Sequence, residues 1–222
     1  MAKKTHKKAV PAKRTARPKR KHLTIKEWQK VLTIVKHDLF EHALVSLIYE
    51  CALRASEPGM ITLGDCEDID KGNIFIRRAK GSTTGWYQGL SESTKGLLLR
   101  WIAERYSASQ QQLPEHALFP SFIRQKGIWA GISAWSVWRL FHEIATEAKL
   151  PIDLQHPHAL KHSRVQHLLE AAEQADMEPG WMIQAIAKLV GHKAAMTTIA
   201  HYSTSSGKTK AFVDNFTEQV LK

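Results

Sequence analysis

Three clusters, far apart in the chain, hold the kinds of side chain that can act on a phosphodiester. They are Arg54 in Ala-Leu-Arg-Ala-Ser-Glu, residues 158–163 in His-Ala-Leu-Lys-His-Ser, and His192 with Tyr202 in the stretch that opens Leu-Val-Gly-His. A hydroxyl that can attack phosphorus, with arginine, lysine and imidazole groups to hold oxygens on which negative charge builds, covers the needs of such a reaction. Each residue alone has an ordinary explanation. An arginine near a helix end commonly meets the terminal carbonyls, a histidine satisfies a core or surface position, and a tyrosine packs.

The elements that must position these groups are legible as hydrophobic periods. Thr24-Ile25-Lys26-Glu27 has the form of a capping box, and Trp28, Val31, Leu32 and Val35 follow at one-face spacing, so a first helix starts near residue 25. Phe40, Ala43, Leu44, Leu47, Ile48 and Cys51 predict a second helix that runs to Pro58-Gly59 and carries Arg54 and Glu57 at its C-terminal end. Between residues 60 and 90 the helical period vanishes. Runs at 60–63, 74–78 and 86–90, separated by Gly, Asp and Asn, predict a small antiparallel sheet with Lys80-Gly81-Ser82 in the turn between its last two strands. Helical spacing returns at Leu98, Trp101 and Ile102, at Val137, Phe141, Ile144 and Ala148, and at Leu160, Val165, Leu168 and Leu169. The expected fold class is α+β: a mainly helical domain with a small antiparallel β-sheet.

The charge is placed unevenly. Ten of the 32 lysines and arginines lie in the first 22 residues, which contain no acid, and they account for ten of the formal +11. Such a segment repels itself and has too little apolar surface to bury, so residues 1–22 read as a disordered arm that follows phosphates, with Lys13, Arg14, Arg17, Lys19, Arg20 and Lys21 as its DNA contacts. The arm has no apolar run suited to a signal peptide, and no stretch approaches a membrane span, so a cytoplasmic protein is expected. Cys51 and Cys66 lack metal-ligand spacing and read as reduced and structural. Residues 23–207 form the expected domain, and Phe212, Phe216 and Val220 mark a short helix within 208–222 whose apolar stripe packs on its own domain or docks on a neighbouring protomer.

Taken together and in this order, the clusters resemble the tyrosine recombinase (phage integrase) family. Arg54, Ser56 and Glu57 match its first motif, residues 158–163 its second, Val190-Gly191-His192 and Tyr202 its third, and Lys80-Gly81 its hairpin lysine. The resemblance implies a 3′-phosphotyrosyl intermediate on Tyr202, with Arg54 and His192 holding the non-bridging oxygens, Lys80 protonating the departing 5′ oxygen, and His158 assisting proton movement at the nucleophile. It implies no metal, cofactor or ATP. The implied partners are double-stranded DNA bearing a specific site, a homo-tetramer across two duplexes, and accessory DNA-bending proteins. The short chain is similar to the family's catalytic-domain-only invertases that switch fimbrial promoters.

Two departures stand out. Lys161 occupies the family's second arginine position, and its three-residue offset from His158 predicts an ammonium aimed at the same phosphate without the bidentate fork. Tyr202 lies one residue further from His192 than is usual in the family. Lys161 also keeps open a different class, a DNA-binding protein with a degenerate, inactive recombinase fold. His156-Pro157-His158 superficially resembles a paired-histidine metal nuclease, but the central proline and the lack of a nearby carboxylate cluster speak against it.

Overall fold

The computed structural model describes residues 22–79, 85–106, 113–175 and 178–190. Helix α1 (Ile25–Val35) begins at the expected capping box: the Thr24 hydroxyl accepts from the Glu27 N–H while the Glu27 carboxylate accepts the Thr24 N–H. Helix α2 (Leu39–Glu50) starts on an Asp38 cap, and the continuous run of residues 43–48 is buried, which makes α2 the central rod of the fold. Truncating Leu44 or Leu47, both fully buried, to alanine would remove roughly 2–5 kcal/mol.

Helix α2 stops eight residues before the expected Pro58 boundary. Ala52 adopts a left-handed backbone (φ 48°), and the Leu53 N–H reaches back to the Ile48 carbonyl, so the chain leaves the helix axis there. Arg54 and Glu57 therefore lie in the following turn rather than on the helix. The expected strand at 60–63 is also absent: Pro58 opens a single 3₁₀ turn, and Thr62 makes only an isolated bridge to Ala117.

Strands β1 (Asn73–Ile76) and β2 (Trp86–Gly89) pair antiparallel with Ile74 opposite Gln88 and Ile76 opposite Trp86. Ile74 and Ile76 point into the core. Helix α3 (Glu92–Arg105) starts on a Ser91 cap that also binds the Glu50 carboxylate at the end of α2. A second antiparallel hairpin, β3 (Pro120–Gln125) with β4 (Ile128–Gly131), has no counterpart in the sequence expectations. Its turn residues Lys126 and Gly127 both have positive φ, the mark of a primed turn. Gly131 lies so close to the turn after Arg54 that an added Cβ would sit 1.9 Å from the Gly59 carbonyl oxygen.

Helix α4 (Ala134–Glu147) buries Val137, Phe141, Ile144 and Ala145. Helix α5 (Pro157–Gln174) is buried along most of its first three turns. Helix α6 (Pro179–Val190), also unforeseen, packs Met182, Ile183, Ile186 and Val190 against Val165, Leu169 and Ala172 of α5 and against Ala52. The class is α+β, helical with small antiparallel sheets. Cys51 and Cys66 are free and buried, and burial pushes both thiols up to about 12. No helix among the described residues is long and apolar enough to cross a membrane.

Candidate active site

The turn after α2 is organised by one carboxylate. Glu57 is fully buried and accepts from the Arg54 N–H (2.8 Å), the Arg54 guanidinium (2.8 Å), the Arg78 guanidinium (2.7 Å) and the Ala79 N–H (3.3 Å). Burial alone would raise its pKa, but the Arg78 charge and the bonds from Arg54 outweigh it and hold the carboxyl below its ordinary value. Arg54 is thereby fixed at its guanidinium while a quarter of its side chain stays open to solvent.

Lys161 projects from the second turn of α5 into the same region. It is only 3% exposed, and its ammonium donates to the Val190 carbonyl at the end of α6, 3.0 Å away. Burial first, then the charges of Arg54 and Arg78, lower its pKa to about 7, against a smaller opposing pull from Glu57. Arg54 and Lys161 thus border the same end of α6, Arg54 through Glu57 and Arg78, which bonds Leu189, and Lys161 through Val190. The structure does not aim Lys161 outward beside His158: that histidine is exposed on the first turn of α5, with its ring edge-on to buried His162 at 4.3 Å.

Ser163, the last residue of the same motif, serves the fold. Its buried hydroxyl donates to the Ala159 carbonyl (2.7 Å) and accepts the Leu23 N–H (2.7 Å), and His167 one turn on meets the Leu23 carbonyl at 2.8 Å. The root of the N-terminal arm is pinned to the helix that carries His158 and Lys161.

Lys80, His192 and Tyr202 lie outside the described residues, as do the arm cations Lys13, Arg14, Arg17, Lys19, Arg20 and Lys21 and the stripe Phe212, Phe216 and Val220. The chain leaves the described structure at Val190, two residues before His192, and at Ala79, one before Lys80. Both exits adjoin the Arg54–Glu57 turn through Arg78, which is fully buried and bonds Glu57 and, at the other side, the Leu189 carbonyl. The motif reading passed over Arg78. The available signal was alternation: Arg78 continues, two positions beyond β1, the two-residue period of the core residues Ile74 and Ile76. Among the described residues, no group of three or more His, Cys, Asp or Glu side chains is arranged to hold a metal.

A profile of the phage integrase family matches residues 21–208. The chain is similar to tyrosine recombinase XerC of Pseudomonas fluorescens, with 31% identity over 167 residues, 74% of this chain and 49% of that protein. It is also similar to tyrosine recombinase XerA of Thermococcus kodakarensis, with 28% identity over 185 residues, 80% of this chain and 56% of that one. The chain spans about half the length of these curated relatives. Among solved structures, the fold matches that of XerA recombinase with a TM-score of 0.68 at 19% identity, covering 95% of this chain and 67% of that one. It also matches XerH recombinase bound to a palindromic difH substrate in a post-cleavage complex, with a TM-score of 0.61 at 18% identity, covering 87% and 52%.

Proposed function

This chain belongs to the phage integrase family, and from that premise we propose that it is a site-specific DNA recombinase that cuts and rejoins strands through Tyr202. The Tyr202 oxygen attacks phosphorus, a 3′-phosphotyrosyl bond forms, and the 5′ oxygen leaves with a proton from Lys80. The incoming 5′ hydroxyl reverses these steps on a new strand. The phosphotyrosyl bond conserves the energy of the broken phosphodiester, so the cycle balances without ATP and without a metal. Arg54 and His192 hold the non-bridging oxygens, His158 moves the nucleophile's proton, and Lys161 adds positive charge behind them.

The observation that carries this reading is the convergence of Arg54 and Lys161. Two motif cations from distant parts of the chain are joined through one set of bonds: Arg54 to Glu57, Glu57 to Arg78, Arg78 to the Leu189 carbonyl, and Lys161 to the adjacent Val190 carbonyl, a concentration of positive charge that suits an anionic phosphate. The arm cations extend the interaction along the DNA backbone, two protomers on each of two duplexes complete a tetramer, and accessory DNA-bending proteins assist assembly. Such a protein works in the cytoplasm, and on the nucleoid if its host is bacterial.

A second reading is favoured by one fact: the Lys161 ammonium is already engaged by Val190. A site whose second cation serves the fold would bind DNA and leave it uncut. Covalent trapping separates the two. The full chain is incubated with a pool of nicked duplexes carrying randomised arms, and SDS-resistant adducts are recovered and sequenced. The recombinase reading expects adducts that map to Tyr202, persist in EDTA and vanish in Tyr202→Phe while that variant still binds. Adducts on Tyr49, Tyr87 or Tyr106 would overturn the assignment, and binding with no adduct at all would select the second reading.

A further inference from the structure

We infer that Arg78 is a positioning residue that ties the Arg54 turn and the hairpin leading to Lys80 onto the end of α6, the helix that leads to His192. The inference deepens the recombinase reading and rests on it for its link to cleavage.

The guanidinium of Arg78 is fully buried and spends both terminal nitrogens on acceptors from three segments. One nitrogen donates to Glu57 (2.7 Å) and the Ala52 carbonyl (3.4 Å), and the other to the Cys51 carbonyl (3.1 Å) and the Leu189 carbonyl. Its face lies over the Trp86 ring, 5.1 Å from the centroid. Only Nε lacks a partner among the described residues. Arg78 sits two residues beyond β1 and two before Lys80 in sequence, so the segment that follows β1 is anchored by this side chain.

The opposite strand repeats the attachment. Gln88 of β2 donates to the same Leu189 carbonyl at 3.0 Å, and Lys161 donates to Val190. Two basic side chains and an amide converge on the carbonyls of Leu189 and Val190, the last described residues of α6, and form a socket for them. The hairpin, the Arg54 turn and α6 are thus held in one arrangement.

Energetics point the same way. A buried ion pair often stabilises no better than apolar side chains of the same volume, so stability alone is a weak reason for Arg78 and Glu57 to stand here. A planar fork that fixes several acceptors at once is a strong one, and a lysine cannot imitate it.

The test compares Arg78→Lys and Gln88→Leu in the full chain. Hydrogen exchange followed by mass spectrometry should show the last turn of α6 exchanging at least about tenfold faster in Arg78→Lys, and about threefold faster in Gln88→Leu, with α1 and α2 unchanged. Single-turnover adduct formation by Arg78→Lys on the nicked substrate should fall at least about tenfold, while DNA affinity stays within about twofold, a split that general unfolding would not give. Unchanged exchange at the end of α6 in Arg78→Lys overturns the inference, and so does adduct formation at the wild-type rate. If Arg78→Lys does not fold, Gln88→Leu decides, because it removes one donor together with an amide oxygen that has no partner among the described residues; unchanged exchange there refutes the socket. If the wild type forms no adduct, the recombinase reading fails, and the exchange measurement still rules on Arg78.

Discussion

The ammonium of Lys161 donates to the carbonyl oxygen of Val190 across 3.0 Å, from a side chain that is almost wholly buried. One hydrogen bond to a neutral oxygen is thin compensation for a charge removed from water, and two arginines stand nearby, so the pKa falls to about 7. A residue that occupies an arginine position in the family has here become one whose charge depends on pH.

Stability should report this directly. The folded-state pKa lies below the unfolded value of 10.5, so between pH 7 and 10.5 the unfolded chain holds more protons and the contribution of Lys161 to stability rises with pH. Below pH 7 its full penalty is present. The difference in melting temperature between wild type and Lys161→Met, followed from pH 6 to about 9.5 by thermal denaturation, should move in favour of wild type as pH rises. A flat difference would mean that the ammonium is not depressed.

Cleavage should show the opposite trend, because the protonated form is the one that helps hold an anion. A bound phosphate raises the Lys161 pKa, so the midpoint in the DNA complex lies above 7. Arginine keeps its proton throughout. The ratio of single-turnover rates, Lys161→Arg over wild type, should therefore climb as pH rises from about 6 to 9, and Lys161→Ala should lose about 2.7–4 kcal/mol of barrier stabilisation at neutral pH. Equal rates in Lys161→Ala and wild type would remove Lys161 from the reaction.

Much of this arrangement was legible before the structure, and the exceptions have physical causes. The capping box at Thr24 and Glu27 and the apolar spacing in α1, α3, α4 and α5 are local signals, and each produced its helix. The end of α2 was misplaced because Ala52, not the glycine of Pro58-Gly59, takes the left-handed conformation. The run at 60–63 is apolar since Ile61, directly after a 3₁₀ turn, fills the core, and its pairing is limited to the isolated bridge of Thr62 with Ala117. The hairpin β3–β4 escaped notice because Phe122 and Ile123 face solvent, which hides any alternation, although Lys126-Gly127 offered a turn signal. The orientation of Lys161 could not be read locally. It depends on α6 presenting the Val190 carbonyl, a contact between residues 29 positions apart.

Glu57 should be the most sensitive single position in the described site. Replacing it with glutamine leaves Arg54 and buried Arg78 without their shared counter-charge, and the loss expected for breaking a buried pair is about 3–5 kcal/mol. Its folded pKa is depressed, so its contribution is present in full above the unfolded value of 4.5 and is lost as pH falls through the lower folded value. Urea unfolding of wild type and Glu57→Gln should therefore differ widely at pH 7 and converge in acid. A gap that stayed undiminished as pH was lowered into the acid range would place the effect in packing rather than charge.

The N-terminal arm should govern affinity and leave chemistry intact. Its root is pinned beside α5, since Leu23 bonds Ser163 and His167 of the helix that carries Lys161. Each arm cation that neutralises a phosphate releases condensed counterions, and that release vanishes with the cation. Deleting residues 1–21 should weaken binding to any duplex and flatten the plot of log affinity against log salt by about 0.9 for each phosphate that the arm had neutralised, read by fluorescence anisotropy between about 50 and 200 mM salt. At saturating protein the deleted chain should still form the Tyr202 adduct at close to the wild-type rate, because none of the proposed proton donors or oxyanion-holding groups is in the arm. An unchanged slope would show that the arm does not track phosphates; a collapsed adduct rate at saturation would show that it takes part in building the site.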